Sequence, residues 1–246
     1  MTECSKEPIV LHERMDLLDW LMPLLCMGCG ESCGRVLCGR CQSVSLVRLS
    51  RRLEGIDSAW TMATYPSSLA GAVKKAKYGR DGGLGRRLGV LLAEATAQTL
   101  QGDFQLVVAA PSAWDRRFSR GFSLASLLAD GVSKAVGCKQ RRALRLARGA
   151  AQAGLGKRGR QNNLRGRLRA VCPVVGSILL VDDVVTTGCT AQACARELLC
   201  MGAASITLLT LCAVDRPVLE PCSKLLTGTQ AASAQSRRRT VGASSA

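Results

Sequence analysis

Apolar and polar positions follow two rhythms along this chain. Short, nearly unbroken apolar runs occupy residues 56–65 (IDSAWTMATY), 104–111 (FQLVVAAP), 178–181 (ILLV) and 205–214 (SITLLTLCAV). Runs of that length, bounded by turn residues, predict strands buried on both faces. Between them the apolar positions recur every three or four residues. Leu88, Leu91, Leu92 and Ala95 mark a helix over 84–100, and residues 67–79 start on a serine and stop on a glycine. Residues 123–136 form a third helical segment. The stretch 178–199 reads as strand, loop and helix. A basic strand is expected over 139–148, and a polar loop or short basic helix over 157–168. Strands alternating with helices predict an α/β fold, a mostly parallel sheet with helices on both faces.

Composition narrows the picture. The chain has 246 residues, enough for one α/β domain and a small appendage. Its hydrophobic content of 47% supports a packed core, whereas 3% aromatic residues argue against recognising nucleic acid by many stacked rings. The boundaries expected are a leader over 1–25, a cysteine-rich module and linker over 26–55, the α/β domain over 56–226 and a flexible tail over 227–246. The net charge of +16 favours phosphate-bearing partners. Read along the whole chain, that charge is spread rather than gathered in one block. No apolar run reaches the roughly 18 residues of a membrane span, and no secretory signal is evident, so a cytoplasmic location is expected.

Candidate chemistry concentrates in two places. The first is VDDVVTTGCT, residues 181–190. Asp182 and Asp183 stand where the strand 178–181 is expected to end, and ligands of parallel sheets bind beyond strand carboxyl ends. Val184, Val185, Thr186, Thr187, Gly188, Cys189 and Thr190 lead into a helix whose unpaired N–H groups and dipole favour an anion. A phosphate placed on the two carboxylates would be repelled, so these need another partner. Sugar hydroxyls and a divalent cation both suit them, and a phosphorylated ribose carrying Mg²⁺ combines all three. Cys189, a thiol at a helix N-terminus, is expected to be acidified.

The second place is CMGCGESCGRVLCGRC, residues 26–41. Cys26 and Cys29, then Cys38 and Cys41, form two CxxC pairs, the spacing of a structural four-thiolate Zn²⁺ site. Cys33 lies between the pairs and could replace one ligand, although their symmetry favours leaving it out. Cys138 and Cys212 are expected to be small core residues. The single histidine, His12, lies in the leader, which makes a histidine general base an unlikely device. The segment 109–129 follows a strand and opens with Ala110, Pro111 and Ser112, then Arg116, Arg117 and Arg120, a cationic turn suited to a polyanion.

The acid pair and its loop closely resemble the phosphoribosyl-pyrophosphate (PRPP) motif of type I phosphoribosyltransferases. That resemblance implies that Asp182 and Asp183 contact the ribose of Mg²⁺-bound PRPP, that residues 184–190 cradle its 5′-phosphate, and that Ala110, Pro111, Ser112, Arg116, Arg117 and Arg120 hold pyrophosphate. Joined to the four-cysteine module, the chain resembles the ComF competence-protein family. KKAKYGRD (74–81), RRFSRGFS (116–123) and AAQAGLGKRGRQNNL (150–164) resemble further family stretches, with Ser123 in place of an asparagine and with Gln152, Arg158 and Asn162 or Asn163 in a polar pattern. Where that family often carries a proline-valine-proline turn, this chain keeps Pro111 alone. The family implies transfer of ribose 5-phosphate to a nitrogenous acceptor, linked to DNA uptake or nucleotide metabolism. The alternative is a non-catalytic DNA-uptake factor that binds single-stranded DNA or a helicase-like partner, with PRPP or a nucleotide as regulator. A homodimer is a further expectation.

Overall fold

The computed structural model describes residues 25–27, 29–33, 36–41, 45–111, 121–147 and 167–214. Residues 1–24 of the expected leader and the tail 227–246 lie outside the described residues. Among the described residues eight strands and four helices follow in order: β1 (Val47–Arg48), β2 (Ser58–Thr64), α1 (Ser68–Tyr78), α2 (Gly82–Thr99), β3 (Leu106–Ala109), α3 (Leu124–Val136), β4 (Lys139–Gln140), β5 (Leu144–Leu146), β6 (Leu168–Ala170), β7 (Gly176–Val185), α4 (Cys189–Cys200) and β8 (Ala203–Ala213).

Two of the described helices, α1 and α2, begin where a side chain satisfies a free N–H group. Ser67 accepts from the Ala70 N–H at the start of α1, and Asp81 accepts from the Leu84 N–H at the start of α2. The Ala70 bond bears out the serine start expected at 67. α2 and α3 pack closely because glycines face each other. A Cβ at Gly131 would stand 2.5 Å from the Gly89 carbonyl oxygen, and one at Gly89 would stand 2.8 Å from that of Leu127.

Six strands form one sheet in the order β1-β2-β8-β7-β3-β4. All neighbours are parallel except β1 with β2. The core lies on both sides of this sheet. On one side α1, α2 and α3 contribute Leu69, Val73, Leu88, Leu92, Leu128 and Val132 against Leu179, Val181 and Leu209. On the other side α4 contributes Ala191, Cys194, Ala195 and Leu198 against Ile178, Leu180, Ile206 and Leu208. Each fully buried leucine or isoleucine contributes about 1.5–3 kcal/mol of transfer free energy. The expected α/β layering is present, with a small cysteine-bearing module at its N-terminal side.

Three expectations change in detail. The basic strand 139–148 divides into β4, which joins the main sheet, and β5, which pairs with β6 in a separate antiparallel ribbon. The linker up to residue 55 contains β1 as well as Leu49 and Leu53, both buried. The strand expected to end at Val181 continues to Val185.

Candidate functional site

β3 and β7 are neighbours in the sheet, yet the chain leaves them toward opposite faces. After β3 it runs into α3, and after β7 into α4, which pack on opposite sides. Strands that part in this way open a crevice beyond their carboxyl ends, the usual ligand position in an open α/β sheet. Ala110 and Pro111 stand at the carboxyl end of β3, and Asp182 and Asp183 at that of β7.

The pairing of β7 explains its length. Along residues 178–181 it is hydrogen-bonded to both neighbours, and the Ala110 N–H donating to the Val181 carbonyl closes the β3 side. Beyond Val181 only β8 continues, opposite Asp182 with Thr210 and Val184 with Cys212. The apolar run of β8 therefore templates four further residues of β7, the two acids included. Val184 and Val185, expected in the loop, are strand residues. Val185 is buried, and its carbonyl accepts from the Val214 N–H at 2.9 Å.

The two acids have different surroundings. Asp183 pairs with Lys77, 2.7 Å from Nζ to Oδ1, on the side covered by α1. Asp182 is only partly exposed, and its Oδ1 accepts from the Asp183 N–H at 2.8 Å. Burial, and then the charge of Asp183, push the Asp182 carboxyl up to about 7, while Lys77 opposes the shift. Its charge is also felt by the buried Cys194 thiol of α4, on the opposite side from α1; that thiol is raised chiefly by burial. Adjacent acids thus part toward the two faces, as the pleat of a strand requires. Lys77 belongs to the family-like stretch 74–81, but its pairing with the acids was not part of the sequence expectation. Its signal was its place in the last turn of a helix that follows a core strand.

Past Val185 the chain turns into α4. Thr186 and Thr187 are exposed, Gly188 is buried, and Cys189 and Thr190 are half-buried. Gly188 caps the helix with φ +77, and its carbonyl accepts from the Gln192 N–H. Only glycine suits that turn without strain, and there is no room for a side chain, since a Cβ would stand 2.4 Å from Leu53 Cδ2. The Thr187 hydroxyl and the Cys189 thiol lie 2.9 Å apart. The loop thus presents hydroxyls at a helix N-terminus, beside the crevice.

On the β3 side, Ala110 is buried and its N–H is already used by Val181, so Pro111 is the more exposed of the two. Ser112, Arg116, Arg117 and Arg120 lie outside the described residues, as do Gln152, Arg158, Asn162 and Asn163. Ser123 stands at the N-cap of α3 and is nearly buried. Cys212 is buried in the core, its thiol raised to about 11 mainly by burial, and Cys138 packs against the same cluster.

The cysteine module gathers Cys26, Cys29, Cys38 and Cys41 so that their four sulfurs all lie within 4.8 Å of one another. Around one tetrahedral Zn²⁺, thiolates at about 2.3 Å would stand about 3.8 Å apart. Cys29 and Cys38 are 3.6 Å apart here, so the donor set fits. The Cys38 N–H donates to the Cys26 sulfur at 3.2 Å, an additional bond of the kind that orients ligands. Hydrogen bonds with Cys38, Cys29 and Cys26 push the Cys41 thiol up to about 12, a measure of how tightly the sulfurs crowd. Cys33 is partly exposed and outside this group.

The cationic charge is less evenly distributed than expected. Residues 139–170 carry eleven of the Lys and Arg residues and no Asp or Glu. In the described part of this stretch Arg145 of β5 stands directly opposite Arg169 of β6, both exposed. Like charges in that register disfavour a ribbon unless an anion lies near. Glu197 of α4 lies 3.9 Å from Arg169. Among the described residues no helix is long and apolar enough to cross a membrane.

No family model matches the chain. It is 33% identical over 160 residues to the DNA utilization protein YhgH of Escherichia coli K12, covering 62% of this chain and 70% of that protein. To the protein of the same description from Salmonella typhi it is 38% identical over 103 residues, covering 40% and 45%. Among solved structures it is similar to the glutamine PRPP amidotransferase of B. subtilis complexed with ADP and GMP, at 22% identity and a TM-score of 0.37, over 56% of this chain and 27% of that one.

Proposed function

The chain belongs to the family of the DNA utilization protein YhgH, and from that premise we propose that it is a phosphoribosyltransferase-like protein of the ComF type. In this proposal it binds Mg²⁺-bound PRPP and transfers ribose 5-phosphate to a nitrogenous acceptor. The observation that carries the proposal is the acid pair at the carboxyl end of β7, with a hydroxyl-bearing helix N-terminus directly after it and β3 as its sheet neighbour.

Asp182 and Asp183 accept hydrogen bonds from the ribose hydroxyls. Thr186, Thr187, Cys189 and Thr190, with the N–H groups at the start of α4, receive the 5′-phosphate. Val184 and Val185 contribute backbone only, because they belong to β7. Ser112, Arg116, Arg117 and Arg120 receive pyrophosphate, and Ala110 and Pro111, at the end of β3, lead into that segment. Mg²⁺, when bound with PRPP, supplies neutralising charge for the departing pyrophosphate, and the hard carboxylate oxygens suit it. Displacement at the anomeric carbon then depends on positioning and on charge stabilisation. Zn²⁺ held by Cys26, Cys29, Cys38 and Cys41 is structural, with no open coordination position.

The raised Asp182 carboxyl and the Lys77–Asp183 pair account for an otherwise awkward arrangement. Near neutral pH the crevice carries less negative charge than two free carboxylates would, so an incoming polyanion meets little repulsion. Isothermal titration with Mg·PRPP tests the assignment. Wild type is expected to bind, and Asp182→Asn combined with Asp183→Asn to lose at least about a hundredfold in affinity, the scale of two charge-assisted hydrogen bonds. Undiminished affinity in the double variant contradicts the ribose assignment.

A second role is favoured by one observation, the cation-only stretch 139–170 with Arg145 facing Arg169. The relatives are DNA utilization proteins by name, and a ribbon of exposed arginines suits a phosphodiester backbone. In this reading the chain binds single-stranded DNA or joins a DNA-uptake partner, with PRPP as substrate or regulator. DNA affinity falling steeply with salt, and less steeply in Arg145→Ala with Arg169→Ala, supports it. Pyrophosphate release from PRPP with a panel of bases supports the enzyme.

A further inference from the structure

The segment that leads out of the cysteine module reaches the anion loop from outside the α/β domain. Leu46 is buried in the cluster that also contains Cys26 and Cys38, on the side covered by α1, α2 and α3. β1 then pairs along the edge of β2, and Leu49 and Leu53 are buried in the opposite cluster, with α4. The chain thus wraps the sheet edge between residues 46 and 53. At the end of this wrap Arg51 Nη2 donates to the Thr186 carbonyl oxygen at 2.8 Å, and Leu53 closes the space over Gly188.

We infer that Arg51 is a positioning residue of the anion loop. A trans peptide holds its C=O and N–H on opposite sides of one plane. Fixing the Thr186 carbonyl on Arg51 therefore turns the Thr187 N–H to the other side, away from the guanidinium. Leu53 sets how far the following turn can move, since Gly188 already touches it. The loop is thereby shaped before any ligand arrives, by residues that belong to the linker and that no motif of the loop itself contains. Preorganised donors bind an anion more tightly than donors that must be ordered on binding. This inference rests on the assignment of residues 186–190 to phosphate, and the experiment below separates the two.

The experiment compares the full chain with Arg51→Ala and Arg51→Lys. Amide hydrogen exchange over 186–190 is followed without ligand, and affinity is measured with Mg·PRPP. Arg51→Ala is expected to speed exchange in the loop and to weaken Mg·PRPP about tenfold, as for loss of one hydrogen bond from a charged donor. Its Tm should stay within about 2 °C of wild type, since the contact lies at the surface. Arg51→Lys should restore part of the protection and part of the affinity. Unchanged loop exchange in Arg51→Ala overturns the inference. Weaker affinity with unchanged exchange also overturns it, because Arg51 would then touch the ligand directly. Faster exchange together with no Mg·PRPP binding even in wild type upholds the positioning role and removes the phosphate assignment instead.

Discussion

The cysteine module and the acid-bearing loop both hold polar atoms at close, fixed distances, and they do so by different means. Around the four sulfurs the described residues form no helix or strand longer than an isolated bridge, Leu25 with Ser32. The ties are a few backbone bonds, such as Cys26 N–H to Glu31 and Met27 N–H to Val36, the exposed Arg40–Glu31 ion pair, and the burial of Val36 and Leu37 with Cys26 and Cys38 in the cluster under α1, α2 and α3. The acid loop instead lies between a ten-residue strand and a twelve-residue helix in the middle of the sheet. The first arrangement rests on turns and a few buried side chains around four clustered sulfurs, whereas the second is set by a long strand and a helix of the core.

The largest effect that can break this contrast is metal removal. Chelation, or Cys26→Ser with Cys38→Ser, is expected to unfold residues 25–41 while the α/β domain stays folded, because metal binding supplies on the order of 10 kcal/mol in four-thiolate modules. Zinc content and hydrogen exchange check it. A module that stays protected without metal would place both sites in the same class.

Next comes Lys77→Met, which leaves Asp183 without its cation. Both side chains are about one-fifth exposed, 21% and 18%, so solvent screens only part of the interaction. A loss of about 1–2 kcal/mol in urea unfolding is expected, below the 3–5 kcal/mol of a fully buried pair. No loss would show that the core alone fixes the acids.

A smaller effect sharpens the electrostatics. Folded Asp182 holds its proton up to about pH 7, whereas the unfolded carboxyl releases it near 3.8. The folded state therefore binds more protons in that interval, and it loses stability as pH rises from about 4 to 7. Asp182→Asn lacks this loss. Its stability relative to wild type should grow by on the order of 1 kcal/mol between pH 4 and pH 8, less than the full shift implies because the carboxylate keeps some water. A pH-independent difference between the two proteins would refute the raised carboxyl.

The smallest expected effect concerns Cys189. Bound Mg·PRPP should slow its alkylation by a few fold, with the exposed Cys200 as an internal control in peptide mapping. Equal labelling with and without ligand would mean that the loop thiol stands clear of the phosphate.

Much of this was legible in the sequence where local chemistry decides. Ser67 and the run ILLV announced a helix start and a core strand, and the two CxxC pairs announced a sulfur cluster. The end of β7 was not legible, because apolarity stops at Asp182 while the ladder with β8 continues. Lys77 resembled an ordinary basic helix end until the sheet order brought α1 over the end of β7. Arg51 touches a residue 135 positions away, a distance that no local pattern spans. The Arg145–Arg169 pairing was hidden for a related reason, since the two strands of that ribbon are separated by more than twenty residues of chain.

The outermost strands of the main sheet, β1 and β4, are each two residues long. A stray strand from another molecule would find almost no backbone N–H and C=O row to extend, so stacking of sheets end to end is discouraged. A chain rich in Leu and Val, with long parallel strands at its centre, thereby guards itself against fibre growth at both margins while its middle stays free to be as apolar as folding demands.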